Sequence, residues 1–275
     1  MPEKIYEVPD TSGLKPVVFI HGLWLHAESW KPWIQYFIKN GYDASAVNWP
    51  GDGANTEATR QNPSSVAGYG VEEIADYITG ELAKLPEKPI LIGHSFGGLL
   101  AQILLGRDLA VGAIAIDPAP MQGVLVLPFS SLKAAFPALR DPRNFNKSIS
   151  LTEPEFRFAF TNARPATEAK ALWAKYAIPA PARPLFQAAT AILNPLAATV
   201  VNTANATRGP LLLTAGLEDH TVPPVMVYSA KKRYAKSPAV TELIEFSRRG
   251  HSLTIDDGWL DVAEACLNWI KGKQL

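Results

Sequence analysis

The stretch Ile90-Leu91-Ile92-Gly93-His94-Ser95-Phe96-Gly97-Gly98 constrains this chain more than any other. A short apolar run closed by glycine is the pattern of a buried strand, and Leu99 to Leu105 then read as a helix, so Ser95 falls on a sharp strand-to-helix turn. Such a turn strains the backbone of its central residue, and its neighbours must be glycine because a Cβ there would collide with the chain. Gly93, Gly97 and Gly98 meet that need. A G-x-S-x-G pattern arises often by chance; the strand before it and the helix after it give it weight here. The backbone N–H of Phe96, at the start of that helix, is aimed where negative charge on a tetrahedral intermediate would need a donor.

The remaining chain repeats the same alternation. Pro16 to Gly22 reads as a central parallel strand, because its apolar residues are continuous rather than alternating. Trp30, Trp33, Ile34, Phe37 and Ile38 recur at helical spacing until Asn40-Gly41, and Tyr42 to Val47 read as the next strand. Val71, Ile74, Ile78, Leu82 and Leu85 mark a second amphipathic helix ending before Pro86. Strands follow at Val111–Ile116, Pro210–Thr214 and Thr241–Phe246, with a closing helix at Trp259–Ile270. Strands alternating with helices predict an α/β fold, a mostly parallel central sheet covered by helices on both faces. The rhythm breaks after Asp117, and 12 of the 23 prolines lie within residues 118 to 210. The expected organisation is therefore a core of residues 1–117 and 208–275 with a mainly helical cap or lid, 118–207, inserted into it.

Charge excludes some partners. Lys+Arg and Asp+Glu both total 26, so there is no positive excess for nucleic acid or an anionic lipid surface to reward. The start Met1-Pro2-Glu3-Lys4 opens no apolar leader, and no stretch reaches the roughly 18 apolar residues of a membrane span. A cytoplasmic protein without a membrane span is expected, its oligomeric state open. Cys266 lies in what reads as the apolar side of a helix and is expected to pack there.

A serine hydroxyl is a weak nucleophile and needs a base, usually a histidine held in one tautomer by a carboxylate. Of the five histidines, His94 adjoins the serine, His21 and His26 precede it, and His220 sits in an acidic loop. His251 follows the strand 241–246 in the loop Arg248-Arg249-Gly250-His251-Ser252, at the sheet edge where parallel strands present functional loops. It is the expected base. Asp219, after the strand that begins near Pro210, is the expected orienting acid, and Glu218 and Asp117 are its rivals.

These residues, His21-Gly22-Leu23-Trp24, Gly93-His94-Ser95-Phe96-Gly97-Gly98, Gly216-Leu217-Glu218-Asp219 and Gly250-His251, in the order Ser, Asp, His, resemble the α/β-hydrolase superfamily. The resemblance covers residues 16–117 and 208–272. It implies an eight-stranded-type sheet with a cap, a second oxyanion donor in the backbone N–H of Leu23 beside that of Phe96, and a bracing role for His21. Trp24 and Leu25, next to that loop, are candidates for a substrate pocket, as are the cap aromatics Phe156, Phe158, Phe160 and Trp173.

The activity implied is carboxylic-ester hydrolysis through an acyl-enzyme, on a small-molecule ester or lactone, with no metal or organic cofactor. Superfamily members with a carboxylate nucleophile place aspartate where this chain has Ser95, and the hydroxynitrile lyases carry lysine where it has Ser252. Lactonase, C–C bond hydrolase, perhydrolase and acyltransferase chemistry use the same triad and stay open. So does a hydrolase-fold ligand receptor.

Overall fold

Six short strands pair side by side into a single sheet, the four inner ones built from continuous buried runs. The structure, a computed structural model, describes residues 13–191 and 194–275, so the start Met1-Pro2-Glu3-Lys4 lies outside the described residues. The first half runs β1 (Pro16–Ile20), α1 (Lys31–Lys39), β2 (Asp43–Val47), α2 (Thr56–Gln61), α3 (Val71–Leu82), β3 (Ile90–His94), α4 (Phe96–Gly106) and β4 (Gly112–Ile116). Next come α5 (Phe129–Leu139), β5 (Ser148–Ile149), α6 (Glu153–Ala159), α7 (Ala166–Tyr176), β6 (Ala180–Pro181) and α8 (Arg183–Thr190). The chain then closes with β7 (Leu211–Gly216), α9 (Pro224–Arg233), β8 (Thr241–Phe246) and α10 (Trp259–Gly272).

The sheet order is β2-β1-β3-β4-β7-β8 and every neighbouring pair is parallel. Alternate residues of β1 divide between two cores, which is why its run is continuously apolar. Val17 and Phe19 pack with Trp30, Trp33 and Phe37 of the α1 region and with Val262, Cys266 and Ile270 of α10. Val18 and Ile20 pack on the other face with Ile74 and Ile78 of α3 and Leu100 and Leu104 of α4. Cys266 is fully buried in the first of these cores, and burial pushes its thiol well above the ordinary range. The two sides together give a helix–sheet–helix sandwich, the α/β-hydrolase architecture.

The eight-stranded-type sheet that the resemblance implies is not reached among the described residues. β5 and β6 are only two residues long, pair antiparallel with each other, and include Pro181, which has no N–H to donate to a longer ladder. Outside residues 118–207, two helices escape the periodicity argument: α2, at six residues, is short, and α9 mixes its apolar and basic residues, although Pro224 at its first turn suits a helix start. Among the described residues no helix is long and apolar enough to cross a membrane.

Candidate functional site

The carboxyl edge of the parallel sheet collects the residues of interest. Ser95 follows β3, Asp117 follows β4, Asp219 lies three residues beyond β7, and His251 lies five beyond β8. Ser95 has φ 57° and ψ −122°, a left-handed backbone that an L-residue adopts only when its surroundings impose it. Its N–H donates to the carbonyl of Ile116 at 2.9 Å, and its own carbonyl accepts from Ala119 N–H at 2.9 Å, so β4 clamps the turn. A Cβ on Gly93 would lie 2.0 Å from the Gly97 carbonyl oxygen, and one on Gly97 would lie 2.1 Å from that of Ile20. Gly22 presses on Ser95 itself: a Cβ there would meet the Ser95 Cβ at 2.7 Å.

His251 and Asp219 meet. The imidazole Nδ1–H donates to Asp219 Oδ2 at 2.6 Å, and both side chains are sealed from solvent. Asp219 Oδ1 accepts two further N–H groups, from Thr221 at 2.7 Å and Val222 at 2.8 Å. Burial pushes this carboxyl up, but the facing imidazole and these donors outweigh it, so Asp219 sits below the usual aspartate range. The other imidazole nitrogen, His251 Nε2, is buried without a hydrogen-bond partner among the described residues. The His251 ring lies 4.5 Å from that of His94, the residue before Ser95, and 4.9 Å from that of Phe160.

The rivals of Asp219 part company. The Glu218 side chain is exposed. Asp117 is fully buried at φ 43°; it accepts Gly216 N–H at 3.0 and 3.1 Å and the Thr214 hydroxyl at 3.1 Å. Burial, reinforced by the charge of Asp219, pushes Asp117 well above the carboxylate range. Oxygens of Asp117 and Asp219 and a His251 nitrogen lie within 4.8 Å of one another, but N–H and O–H donors already occupy these acceptors, as in a hydrogen-bonded relay rather than a cation cage.

His21 is buried, stacks on Trp49 at 4.7 Å, and reaches Asp52 at 3.0 Å, tying the loop after β1 to the loop after β2. The His251 loop has supports that sequence reasoning left unassigned. Arg249 donates to Asp256 Oδ1 at 2.8 Å, Ser252 donates to Asp256 Oδ2 at 2.9 Å, and Arg164 donates to the Arg248 carbonyl at 3.0 Å. Asp256 lies only four residues after Ser252, but Arg164 comes from a segment 84 residues before Arg248, and nothing in the local sequence pairs it with this loop.

An apolar cavity of about 90 Å³ opens beside Ser95 and Phe96. Trp24 lines it, whereas Leu25 is buried in the core and does not. The four aromatics expected in the inserted segment do not line it either. Phe156 and Phe160 stack on each other at 4.6 Å, Phe158 lies against His220, and Trp173 donates its indole N–H to the Leu151 carbonyl. Residues of α5 and α8 form the wall instead, Leu132, Leu139 and Leu185 beside the smaller Ala134, Ala135 and Ala188.

His94 is buried, and burial first and the facing His251 second push its pKa well below 6.5, with His21 adding in the same direction. His26 is lowered as well, chiefly by burial. A histidine with a depressed folded pKa binds its proton in the unfolded chain first, so its contribution to stability is lost as pH falls below about 6.5. Asp117 acts in the opposite sense over this window, because its proton is held more tightly in the folded state. The informative quantity is therefore a difference: between pH 7.5 and 5, thermal melts of His94→Gln should lose less stability than the wild type. Equal losses would mean His94 is not carried neutral.

Residues 17–265 match the profile described as the alpha/beta hydrolase family. A curated relative, an (E)-2-((N-methylformamido)methylene)succinate hydrolase from Acinetobacter baylyi, is 32% identical over 87 residues, 31% of this chain and 30% of that protein's length. Among solved structures, a Paleococcus ferrophilus monoacylglycerol lipase superposes with TM-score 0.65 at 21% identity, covering 94% of each chain. An extracellular α/β-hydrolase from a Paenibacillus species gives 0.67 at 23% identity, over 92% of this chain and 98% of that one. An Arabidopsis methylesterase gives 0.66 at 16%, over 94% and 99%. At these identities the superpositions speak for the fold, and the profile match over nearly the whole length speaks for descent: the chain belongs to the alpha/beta hydrolase family.

Proposed function

We propose that this protein is a serine hydrolase of neutral carboxylic esters, with Ser95 as nucleophile, His251 as base and Asp219 as the acid that fixes the tautomer of His251. The reading rests on one observation. The imidazole is held at Nδ1 by a sealed carboxylate at 2.6 Å, while its Nε2 stays buried without a protein partner among the described residues, beside the strained Ser95 turn. A buried nitrogen of this kind costs free energy unless it has a use, and a serine hydroxyl or its proton supplies one. In this scheme His251 Nε2 takes the Ser95 proton as Oγ attacks the ester carbonyl, then hands it to the departing alcohol. Water repeats the sequence to free the acid. The backbone N–H groups of Phe96, first residue of α4 and so without a partner in its own helix, and of Leu23, next to the Gly22 that abuts Ser95, stabilise the oxyanion. Residues 118–207 act as the cap that walls the substrate in.

The lining of the cavity supports a substrate class. Ser95, Ser131 and Thr221 are its polar lining residues and none of its lining residues is charged, so an anionic group entering it would lose hydration with no cation in return. That disfavours the succinate group named for the Acinetobacter baylyi relative and favours an unbranched apolar acyl or alcohol chain. Across a graded series of p-nitrophenyl esters, kcat/KM should rise about fourfold per methylene, as expected from ~0.8 kcal/mol per buried CH₂, until the cavity is full. Ala188→Phe should abolish that rise and spare the acetate ester. The direct test is a fluorophosphonate probe: one equivalent should attach, and peptide mapping should find it on Ser95. Labelling elsewhere, or a wild type that neither labels nor turns over any ester, would defeat the assignment.

A further inference from the structure

We propose that Asp117 is a positioning residue of the triad: its carboxyl group donates a hydrogen bond to Asp219 and so holds that carboxylate ionised and aimed at His251. This rests on the hydrolase reading above. Asp117 and Asp219 bring carboxyl oxygens within 4.8 Å of each other in a site where both side chains are sealed from water. Two such groups cannot both stay ionised; one keeps a proton. The donors decide which. Asp219 receives three N–H groups, from His251, Thr221 and Val222, whereas Asp117 receives one main-chain N–H, from Gly216, and one hydroxyl, from Thr214. Charge therefore settles on Asp219 and the proton on Asp117, in the direction that burial and the neighbouring charge already push Asp117. His94, which faces His251 on its other side, is held neutral by burial and by that ring, so it brings no positive charge to the cluster.

The arrangement does more than brace β4 to β7. A residue that only accepted from Thr214 and Gly216 could be an uncharged acceptor of any kind, and it would have no proton to share with the orienting acid. Asp117 instead completes a chain, Asp117–Asp219–His251, in which each member fixes the protonation state of the next. Asp117 also sits at φ 43°, so the chain strains its backbone to present this carboxyl where β4 ends.

Asparagine separates the two roles, since its amide oxygen accepts from Gly216 and Thr214 while its amide N–H donates to Asp219. In the full-length protein, kcat/KM is measured against pH with a p-nitrophenyl ester for wild type, Asp117→Asn and Asp117→Ala. Asp117→Asn should keep kcat/KM within about threefold with an unmoved acid limb, while Asp117→Ala should lose roughly tenfold to a hundredfold, the worth of a hydrogen bond to a charged group. The acid limb of Asp117→Ala should also move to higher pH, because Asp219 loses a donor to its ionised form. Infrared difference spectra at neutral pH should show the carbonyl band of a protonated carboxylic acid in wild type and lose it in Asp117→Asn. A wild-type band that survives in Asp117→Asn, or an acid limb unmoved in Asp117→Ala, overturns the proposal. If Asp117→Ala does not fold, the band comparison decides. The same band can be read in a Ser95→Ala background, so ester turnover surviving Ser95→Ala would sink the hydrolase reading while leaving the shared proton to stand or fall by itself.

Discussion

Ser95→Ala should lower kcat on a p-nitrophenyl ester by about a million-fold, the loss typical when the nucleophile of such a triad is removed. The attack that opens the acyl-enzyme route needs an oxygen at this position, and water cannot occupy the same trajectory with the same orientation. The residual rate should exceed the uncatalysed one by about 10³ to 10⁴, because the oxyanion donors and the cavity remain. Adding His251→Ala should cost almost nothing more, since a base without its nucleophile has nothing to activate. Folding should be spared. The exchange removes one oxygen from a residue whose backbone, pinned by the Ile116 carbonyl and the Ala119 N–H, stays as it is. Equal melting temperatures and a collapsed kcat form the expected pair of results. A kcat within tenfold of wild type would remove Ser95 from the chemistry.

Gly97→Ala should be strongly destabilising for the addition of a single methyl group. Its Cβ would lie 2.1 Å from the Ile20 carbonyl oxygen and 2.5 Å from that of His21, both main-chain atoms at the end of β1. Rigid backbone cannot swing away as a flexible side chain does, so β1 and α4 must separate or the elbow must unwind. Either outcome disturbs the core around Ile20 and Leu100 as well as the site, and a loss beyond about 4 kcal/mol or an insoluble product is expected. Gly93→Ala, 2.0 Å from the Gly97 carbonyl oxygen, should behave alike. Gly80→Ala is the control. Inside α3 its Cβ would meet nothing within 4 Å, and replacing a mid-helix glycine by alanine should stabilise by about 0.5–1 kcal/mol. Denaturant titration of the three variants against wild type checks the whole set, and a Gly97→Ala protein as stable as wild type would refute the close-approach argument.

The glycines of the elbow show why so much of the core was legible in advance. Gly93 and Gly97 are demanded by contacts within a few residues of Ser95 or with the adjacent strand, and the apolar runs of β1, β3, β4 and β7 announce strands buried on both faces. Local chemistry of that kind is written into consecutive residues. The meeting of His251 with Asp219 was approachable for a related reason: both follow parallel strands, and parallel strands deliver their following loops to one edge. The cavity wall was not approachable. Its alanines carry no polar atom and no motif, and the cap aromatics that looked like pocket residues found one another instead, Phe156 on Phe160 and Phe158 on His220. Leu25 went to the core for the same reason, because an apolar side chain in the loop after β1 is satisfied by any dry neighbour.

From its order of residues alone, this chain determines a parallel α/β core, a strained serine turn and a short roster of bases and acids, since spacing and steric need act over neighbouring positions. Tertiary structure decided which carboxyl faces His251, where Asp117 stands beside it, and that α5 and α8 wall the cavity. Those outcomes depend on β4, β7, β8, α5 and α8 converging on one edge, with Asp219 and His251 32 residues apart and Asp117 and Thr214 97 apart, and contacts of that range leave no mark on the local sequence of either partner.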